Sequence, residues 1–135
     1  DLSDVQSYSG YGAEVLAAAD GTVVATLDAL PEQRPPTLPE PLTIDIDNVL
    51  GNHVILDLGN DVFVLYAHLQ PGSVVVQPGE RVRRGQGLSK LGNTGNTSAP
   101  HLHLHLMAGS TLGSNGLPYR IDAFELAGQI PPIEP

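Results

Sequence analysis

The hydrophobic residues of the chain fall in short runs, some continuous and some alternating with polar residues, that are separated by turn-forming residues. The clearest runs are 13–18, 22–26, 43–47, 53–58 and 62–68. Apolar or alternating runs of four to eight residues, bounded by glycine, proline, asparagine or aspartate, are typical of β-strands. The pattern therefore predicts an all-β domain.

Turn residues between these runs predict how neighbouring strands connect. Ala19-Asp20-Gly21 separates the first two runs and predicts a hairpin, and Gly59-Asn60-Asp61 predicts a second hairpin between 53–58 and 62–68. Between residues 74 and 88, two glycine turns separate very short strands. Only residues 121–127 carry a helical pattern, of one or two turns.

Two polar segments predict loops. Residues 31–41 contain five prolines, which fix φ and remove backbone donors, so this segment is predicted to be a surface loop. Residues 92–98 are rich in glycine, asparagine and threonine. This segment lacks the lysine of a phosphate-binding loop and precedes a strand, so we interpret it as the rim of an active site.

Composition limits the function classes that remain. With 135 residues the chain is long enough for one domain with a real core. Its net charge of −9 argues against binding to nucleic acid or to an anionic membrane, because such binding surfaces contain clustered lysine and arginine. The absence of cysteine excludes disulfides and thiolate metal sites, and no apolar run is long enough to span a membrane.

Three histidines occupy every second position in His101-Leu102-His103-Leu104-His105. On a strand these imidazoles would share one face, about 7 Å apart, and the leucines would share the other face. Such a face can form a zinc site or a general acid/base pair. The alternative, a solvated polar face, is disfavoured because three histidines in five positions are rare by chance.

Two further histidines are weaker candidates. His68 ends the run 62–68, which is apolar on both faces and is therefore predicted to be a central strand that delivers this histidine to a defined place. His53 and Asp57 have the His-x-x-x-Asp spacing of metal ligands and would share a strand face. For that pair the favoured interpretation is the solvated face of a hairpin strand.

Taken together, several segments resemble the lysostaphin/LytM-type zinc endopeptidases, which cut peptide cross-links in bacterial peptidoglycan. The similar segments are 11–23, 51–57, 66–69, 82–97 and the Pro-His-x-His sequence at 100–103. The resemblance implies a duplicated hybrid motif, in which a twisted antiparallel sheet is accompanied by a second, smaller layer of short strands. It also implies an extracytoplasmic location in a bacterium and a peptidoglycan peptide as partner.

The resemblance implies a role for each matched histidine. His103, the second histidine of the His-x-His motif, would be a zinc ligand. His101 and His68 would be catalytic, activating the attacking water and stabilising the tetrahedral intermediate. His105, where many relatives have glutamate, would be a neighbour of the ligand or a bystander.

One part of the family pattern has no counterpart. The family's other two zinc ligands come from a His-x-x-x-Asp motif that precedes the segment matched at Tyr11, and residues 1–10 contain no histidine. We therefore expect residues 1–135 to form a single peptidase-like domain that lacks an N-terminal segment of the full family domain.

Two alternatives remain open. The first is a non-catalytic envelope module of the same fold that binds peptide or activates a cell-wall hydrolase. The second is a lipoyl- or phosphocarrier-like domain, which residues 76–86 also resemble. The absence of a lysine at a hairpin tip weakens the second alternative.

Overall fold

The structure of the chain is a computed structural model that describes residues 1–39, 45 and 47–125. Over these residues the regular secondary structure consists of β-strands and one short 3-10 helix at Val5–Ser7. The strands are β1 (Glu14–Leu16), β2 (Gly21–Leu27), β3 (Asn52–Gly59), β4 (Val62–Leu69), β5 (Arg81–Val82), β6 (Gly87–Lys90), β7 (His103–Met107) and β8 (Gly116–Leu117).

The strands form two antiparallel sheets of unequal size. The large sheet has six strands in the order β5-β2-β3-β4-β7-β8, and the small sheet pairs β1 with β6. The all-β prediction and the smaller second layer are confirmed. The predicted central position of the strand that carries His68 is also confirmed, because β4 lies between β3 and β7.

The predicted hairpin of β3 and β4 is confirmed, with a tighter turn than expected. Gly59 pairs with Val62, which leaves Asn60 and Asp61 as the two turn residues. Both have positive φ, 54° and 58°, as a type I′ turn requires. Asparagine and aspartate tolerate this conformation better than most residues, so the turn sequence and the turn geometry agree.

The hairpin predicted for the first two strands is wrong, because β1 and β2 lie in different sheets. β1 pairs with β6, whereas β2 pairs with β3 and β5. Beyond β1, the Ala17 N–H donates to the Gln86 carbonyl (2.9 Å) and the Gly85 N–H donates to the Ala17 carbonyl (2.8 Å). Local patterning located both strands but could not reveal that β1 pairs with a segment about 70 residues further along.

The remaining predictions have mixed outcomes. The very short strands predicted between 74 and 88 are confirmed as β5 and the start of β6. The prediction of a helix at 121–127 is wrong for residues 121–125, which form no helix. Residues 126 and 127 lie outside the described residues. Two isolated turns of helix are marginal without packing. Of the predicted strand 43–47 only Asp45 and Asp47 are described, and of the loop 31–41 only residues 31–39.

The two faces of the large sheet carry different sets of side chains. One face packs Val54, Leu56, Val64 and Tyr66 against the small sheet and forms the main core. The other face carries a smaller apolar cluster of buried residues: Ile55, Leu65, Ala67 and Met107. Cross-strand pairing of Leu65 with His105 and of Ala67 with His103 places these two histidines on the second face.

The loop after β6 packs tightly against the start of β3. Gly51 has φ 64° and lies so close to Thr94 that a Cβ there would overlap the Thr94 carbonyl. Gly95, with φ 81°, is equally close to the Gly51 backbone. The Thr94 hydroxyl donates to the Leu69 carbonyl (2.9 Å) and accepts from the Asn52 N–H (2.8 Å). The loop is therefore bonded to both β3 and β4.

We expect Gly51→Ala to lower the free energy of unfolding by at least about 3 kcal/mol, because the new Cβ meets the Thr94 backbone and the residue has positive φ. The measurement is urea unfolding followed by circular dichroism. Gly79→Ala is the matched control, since Gly79 has φ 91° with no atom within 4 Å of an added Cβ, and should cost about 1–2 kcal/mol. Equal losses for the two variants would contradict the steric explanation.

Candidate metal centre

His68 is held in a defined position near the end of β4. It lies in a β-bulge, where Ala67 and His68 face the single residue His53 of β3. Its φ of 61° is in the left-handed region, which is strained for a residue with a Cβ. The ring Nδ1 donates to the Thr94 carbonyl (2.7 Å), and the side chain is buried. The bulge and the hydrogen bond together fix the direction of the ring.

His103 and His105 alternate on β7 as predicted, but the prediction that all three histidines share one strand is wrong. β7 begins at His103, and His101 lies in the preceding loop. The His101 ring Nδ1 donates to the Ala99 carbonyl (2.9 Å) and lies 3.2 Å from the Thr97 hydroxyl. These local contacts, rather than strand pairing, orient the ring of His101.

The loop and the two strands bring His68, His101 and His103 into one group. One ring nitrogen from each lies within 4.8 Å of the others, so the three side chains form a possible metal site. The His68 ring centroid lies 4.8 Å from that of His101 and 5.7 Å from that of His103. His68 is buried, His103 is half-buried and His101 is exposed, so the group opens to solvent on the His101 side.

The hydrogen bonds define which ring nitrogens are free. A carbonyl only accepts, so Nδ1 of His68 and Nδ1 of His101 must carry the hydrogen. In the neutral rings the lone pairs are then on Nε2, where each can bind a metal ion or accept a proton.

Burial keeps two of the rings neutral. It lowers the pKa of His68 from its ordinary value of 6.5 to about 4, against the hydrogen bond to Thr94, which raises the pKa, and with smaller lowering contributions from His101 and His103. Burial also lowers the pKa of His103, followed by the neighbouring charges of His105 and His101. Neutral imidazole is the form that binds metal ions, so both rings are ready to act as ligands near pH 7.

His105 contacts His103 directly. The His103 Nε2 and the His105 Nδ1 are 2.7 Å apart, and their ring centroids are 5.0 Å apart. One of the two nitrogens donates and the other accepts, which fixes the orientation of the His103 ring and leaves its Nδ1 as the second ring nitrogen. His105 is therefore a hydrogen-bond partner of His103 rather than a bystander.

His53 and Asp57 lie on β3 apart from this group. They share the sheet face of Ile55, as their spacing predicted, and both are half-buried. The His53 Nδ1 bonds to the Gly51 carbonyl (2.9 Å), and the Asp57 carboxylate accepts from the Gly59 N–H (2.7 Å). Within the described residues, the group that could hold a metal ion does not include them.

The polar loop 92–98, which was predicted only to form the rim of an active site, also holds two of the histidines in position. Asn93, Thr94 and Thr97 are buried, and the Thr97 hydroxyl lies 2.9 Å from the Asn93 side-chain oxygen, to which it can donate. Thr94 and Thr97 contact His68 and His101 respectively. Sequence reasoning missed these supporting roles. The available signal was the density of hydroxyl and amide side chains directly before the histidines.

A buried carboxyl on the neighbouring loop was also missed. One Glu32 oxygen accepts from the Asn93 N–H (2.6 Å), and the other is buried without a hydrogen-bond partner in the described part of the chain. Burial raises the pKa of Glu32. Burial and the nearby Glu32 carboxylate raise the pKa of Tyr11 to about 12. Glu32 therefore anchors the loop 92–98 through the Asn93 N–H.

This β-sheet fold with a histidine group on one face defines a class of peptidase domains. The chain belongs to peptidase family M23, whose family model matches residues 4–115. The expected resemblance to lysostaphin-type peptidases is thereby confirmed. In the described residues no helix is both long and apolar enough to cross a membrane.

Solved structures and curated relatives agree with this family. The catalytic domain of the antimicrobial peptidase lysostaphin from Staphylococcus simulans is 25% identical with a TM-score of 0.59, covering 82% of this chain and 69% of that domain. A zinc-containing peptidase from Vibrio cholerae is 25% identical with a TM-score of 0.52, covering 71% of this chain and 24% of the other.

Among curated proteins, the peptidoglycan DD-endopeptidase ShyA of Vibrio cholerae is 40% identical over 57 residues. The match covers 42% of this chain and 13% of ShyA, so the matched segment is a small part of that relative.

The low pKa of His68 predicts a pH-dependent stability for the metal-free chain. The folded state binds this proton less tightly than the unfolded state, so stability should be complete above pH 6.5 and fall as the pH decreases towards 4. The difference between 6.5 and about 4 corresponds to about 3 kcal/mol. Urea unfolding in the presence of a chelator measures it.

His68→Asn is the control for this pH profile. Asparagine tolerates positive φ and keeps an amide donor for the Thr94 carbonyl, but it does not titrate. Between pH 6.5 and 4, the free energy of unfolding of the variant should fall less than that of the unsubstituted protein, because the contribution of His68 is absent. Parallel profiles for the two proteins would contradict a depressed pKa at His68.

Proposed function

We propose that the chain is the catalytic part of a zinc-dependent endopeptidase that hydrolyses peptide cross-links of bacterial peptidoglycan. The observation that carries this proposal is the group of His68, His101 and His103 on one face of an M23-family sheet. The name of the relative ShyA, a peptidoglycan DD-endopeptidase, supports the substrate class. Because peptidoglycan lies outside the cytoplasm, the proposal implies an extracytoplasmic location.

The donor set fits zinc, which accepts neutral imidazole nitrogen. We assign His103 as the ligand in this chain, since its ring is half-buried, held by His105 and kept neutral by burial. Zinc, when bound, would act as a Lewis acid at the scissile carbonyl and would make the attacking water more acidic. A catalytic zinc site commonly has three protein ligands, so His103 would share the ion with two further donors.

His68 and His101 are proposed to act on the reacting groups, in different ways. His68 has its Nδ1–H directed to Thr94 and a pKa of about 4, so its Nε2 can accept a hydrogen bond and orient the attacking water. His101 is exposed, so water can solvate its positive charge. His101 is therefore the better residue to take up the proton and to donate it to the leaving amine.

A non-catalytic envelope module of the same fold is the less favoured alternative. A peptide-binding module has no need for two neighbouring imidazoles, each with a lone pair on Nε2, and a third imidazole held by its own partner. The matched relatives are also named as peptidases.

Substitution of single histidines separates the proposed ligand from the proposed catalytic groups. In the full-length protein, His103→Ala should lower zinc affinity by more than about 100-fold and abolish hydrolysis, because a ligand is lost. His68→Ala and His101→Ala should keep their zinc and lose activity by about 10²–10⁴-fold. Zinc content is measured by elemental analysis, and hydrolysis by the amino groups released from purified peptidoglycan.

The matched control is His53→Ala, which removes an imidazole from the same sheet face outside the group. It should retain zinc and activity. Loss of zinc in all three variants of the group would instead make His68 and His101 ligands. Full activity without any of the three histidines would exclude the proposed function.

The contact between His103 and His105 generates a separate prediction. His105→Ala should lower zinc affinity by about 10–100-fold, since the hydrogen bond that orients the ligand is lost. His105→Gln should recover part of the affinity, because an amide can also bond to the His103 Nε2. Competition with a fluorescent zinc chelator measures both. Unchanged affinity in the alanine variant would show that His105 does not orient the ligand.

A further inference from the structure

A pocket of about 510 Å³ lies on the sheet face opposite the histidines. The side chains of Val64, Leu104 and Leu106 contribute to its apolar floor, and residues 119–123 form one wall. The Tyr119 hydroxyl donates to the Leu104 carbonyl (3.2 Å) and attaches this wall to β7. The volume is within the range of about 300–1,000 Å³ that is typical of small-ligand sites.

Two arginines, Arg84 and Arg120, line the same pocket. In the part of the chain that the structure describes, neither guanidinium forms a hydrogen bond or has a carboxylate within 4 Å. Both arginines are exposed, in a chain that has fifteen acidic and six basic residues. A guanidinium presents paired N–H donors that match a carboxylate, so the two unpaired groups indicate an acidic ligand.

Asp122 adds a requirement for hydrogen-bond donors in the ligand. Asp122 is among the residues that line the pocket, and a carboxylate accepts hydrogen bonds. A hydrocarbon acid could pair with the arginines but has no N–H group for Asp122. A peptide has a carboxylate, N–H donors and, when its side chains are small, an apolar body that fits the floor.

We propose that this pocket binds a short peptide with small apolar side chains and a free carboxylate. The carboxylate pairs with Arg84 and Arg120, the side chains contact Leu104 and Leu106, and peptide N–H groups face Asp122. The site is separate from the histidine group, since the leucines and the histidines alternate on opposite faces of β7. Binding therefore requires no metal and no hydrolysis.

The test uses acetyl-trialanine as the probe and its C-terminal amide as the matched ligand, with the metal-free protein. Titration followed by two-dimensional NMR should perturb the amides of β7 and of residues 119–123. The acid should bind at least about tenfold more tightly than the amide, because a charge-assisted hydrogen bond is lost in the amide. Equal affinities, or perturbations confined to the loop and strand ends around the histidines, would overturn the proposal.

Protein variants test the same site from the other side. Arg84→Gln combined with Arg120→Gln should reduce affinity for the acid to that for the amide. Arg83→Gln removes an adjacent arginine that does not line the pocket, and it should leave the affinity for the acid unchanged. Ala123→Trp, which fills the pocket and removes no charge, should abolish binding. An equal effect of Arg83→Gln would show a non-specific charge effect and would refute the assigned site.

Failure of these experiments would leave the endopeptidase proposal untouched, since they measure binding without metal. Conversely, an inactive protein that still binds acetyl-trialanine in this pocket would separate the two inferences.

Discussion

The hydrogen bond from the His68 ring to the Thr94 carbonyl is the constraint on which the rest of the site depends. It joins the end of the central strand to a loop that the chain enters about 25 residues later. The loop can approach so closely only because Gly51 and Gly95 carry no Cβ at the contact. Once formed, the bond fixes the ring, assigns the hydrogen to Nδ1 and leaves the lone pair on Nε2. A backbone contact between glycines thus determines the chemistry of a side chain.

Burial has a second effect on the same group. Three imidazoles with ring nitrogens within 4.8 Å would repel one another if they were charged. The sheet face beneath them is apolar, and it disfavours charge at His68 and His103 further. His101 lies at the exposed end of the loop. The fold therefore creates a gradient from a buried neutral ring to an exposed ring within a few ångströms.

The sequence predicted the features that depend on local chemistry. The β3–β4 hairpin, the central position of β4 and the shared face of His103 and His105 all follow from alternation and turn residues. The partner of β1 and the position of His101 could not be predicted, because they depend on the Gln86 and Ala99 carbonyls and not on side-chain pattern. The burial of Thr94 could not be predicted from the sequence for the same reason, since it depends on backbone contacts. A polar loop looks alike in sequence whether it faces water or binds a buried histidine side chain.

The two faces of strand β7 carry different side chains, so the structure should be sensitive to insertions and deletions in this strand. Its histidines face the candidate metal centre, while Leu104 and Leu106 pack against the main core. Because side chains alternate with a period of two, an insertion or deletion of one residue at the start of β7 would exchange the faces. The imidazoles would enter the core and the leucines would enter the site. Only insertions or deletions of two residues would keep each side chain on its own face. Strand β7 should therefore evolve by substitution, while the loops around it change in length.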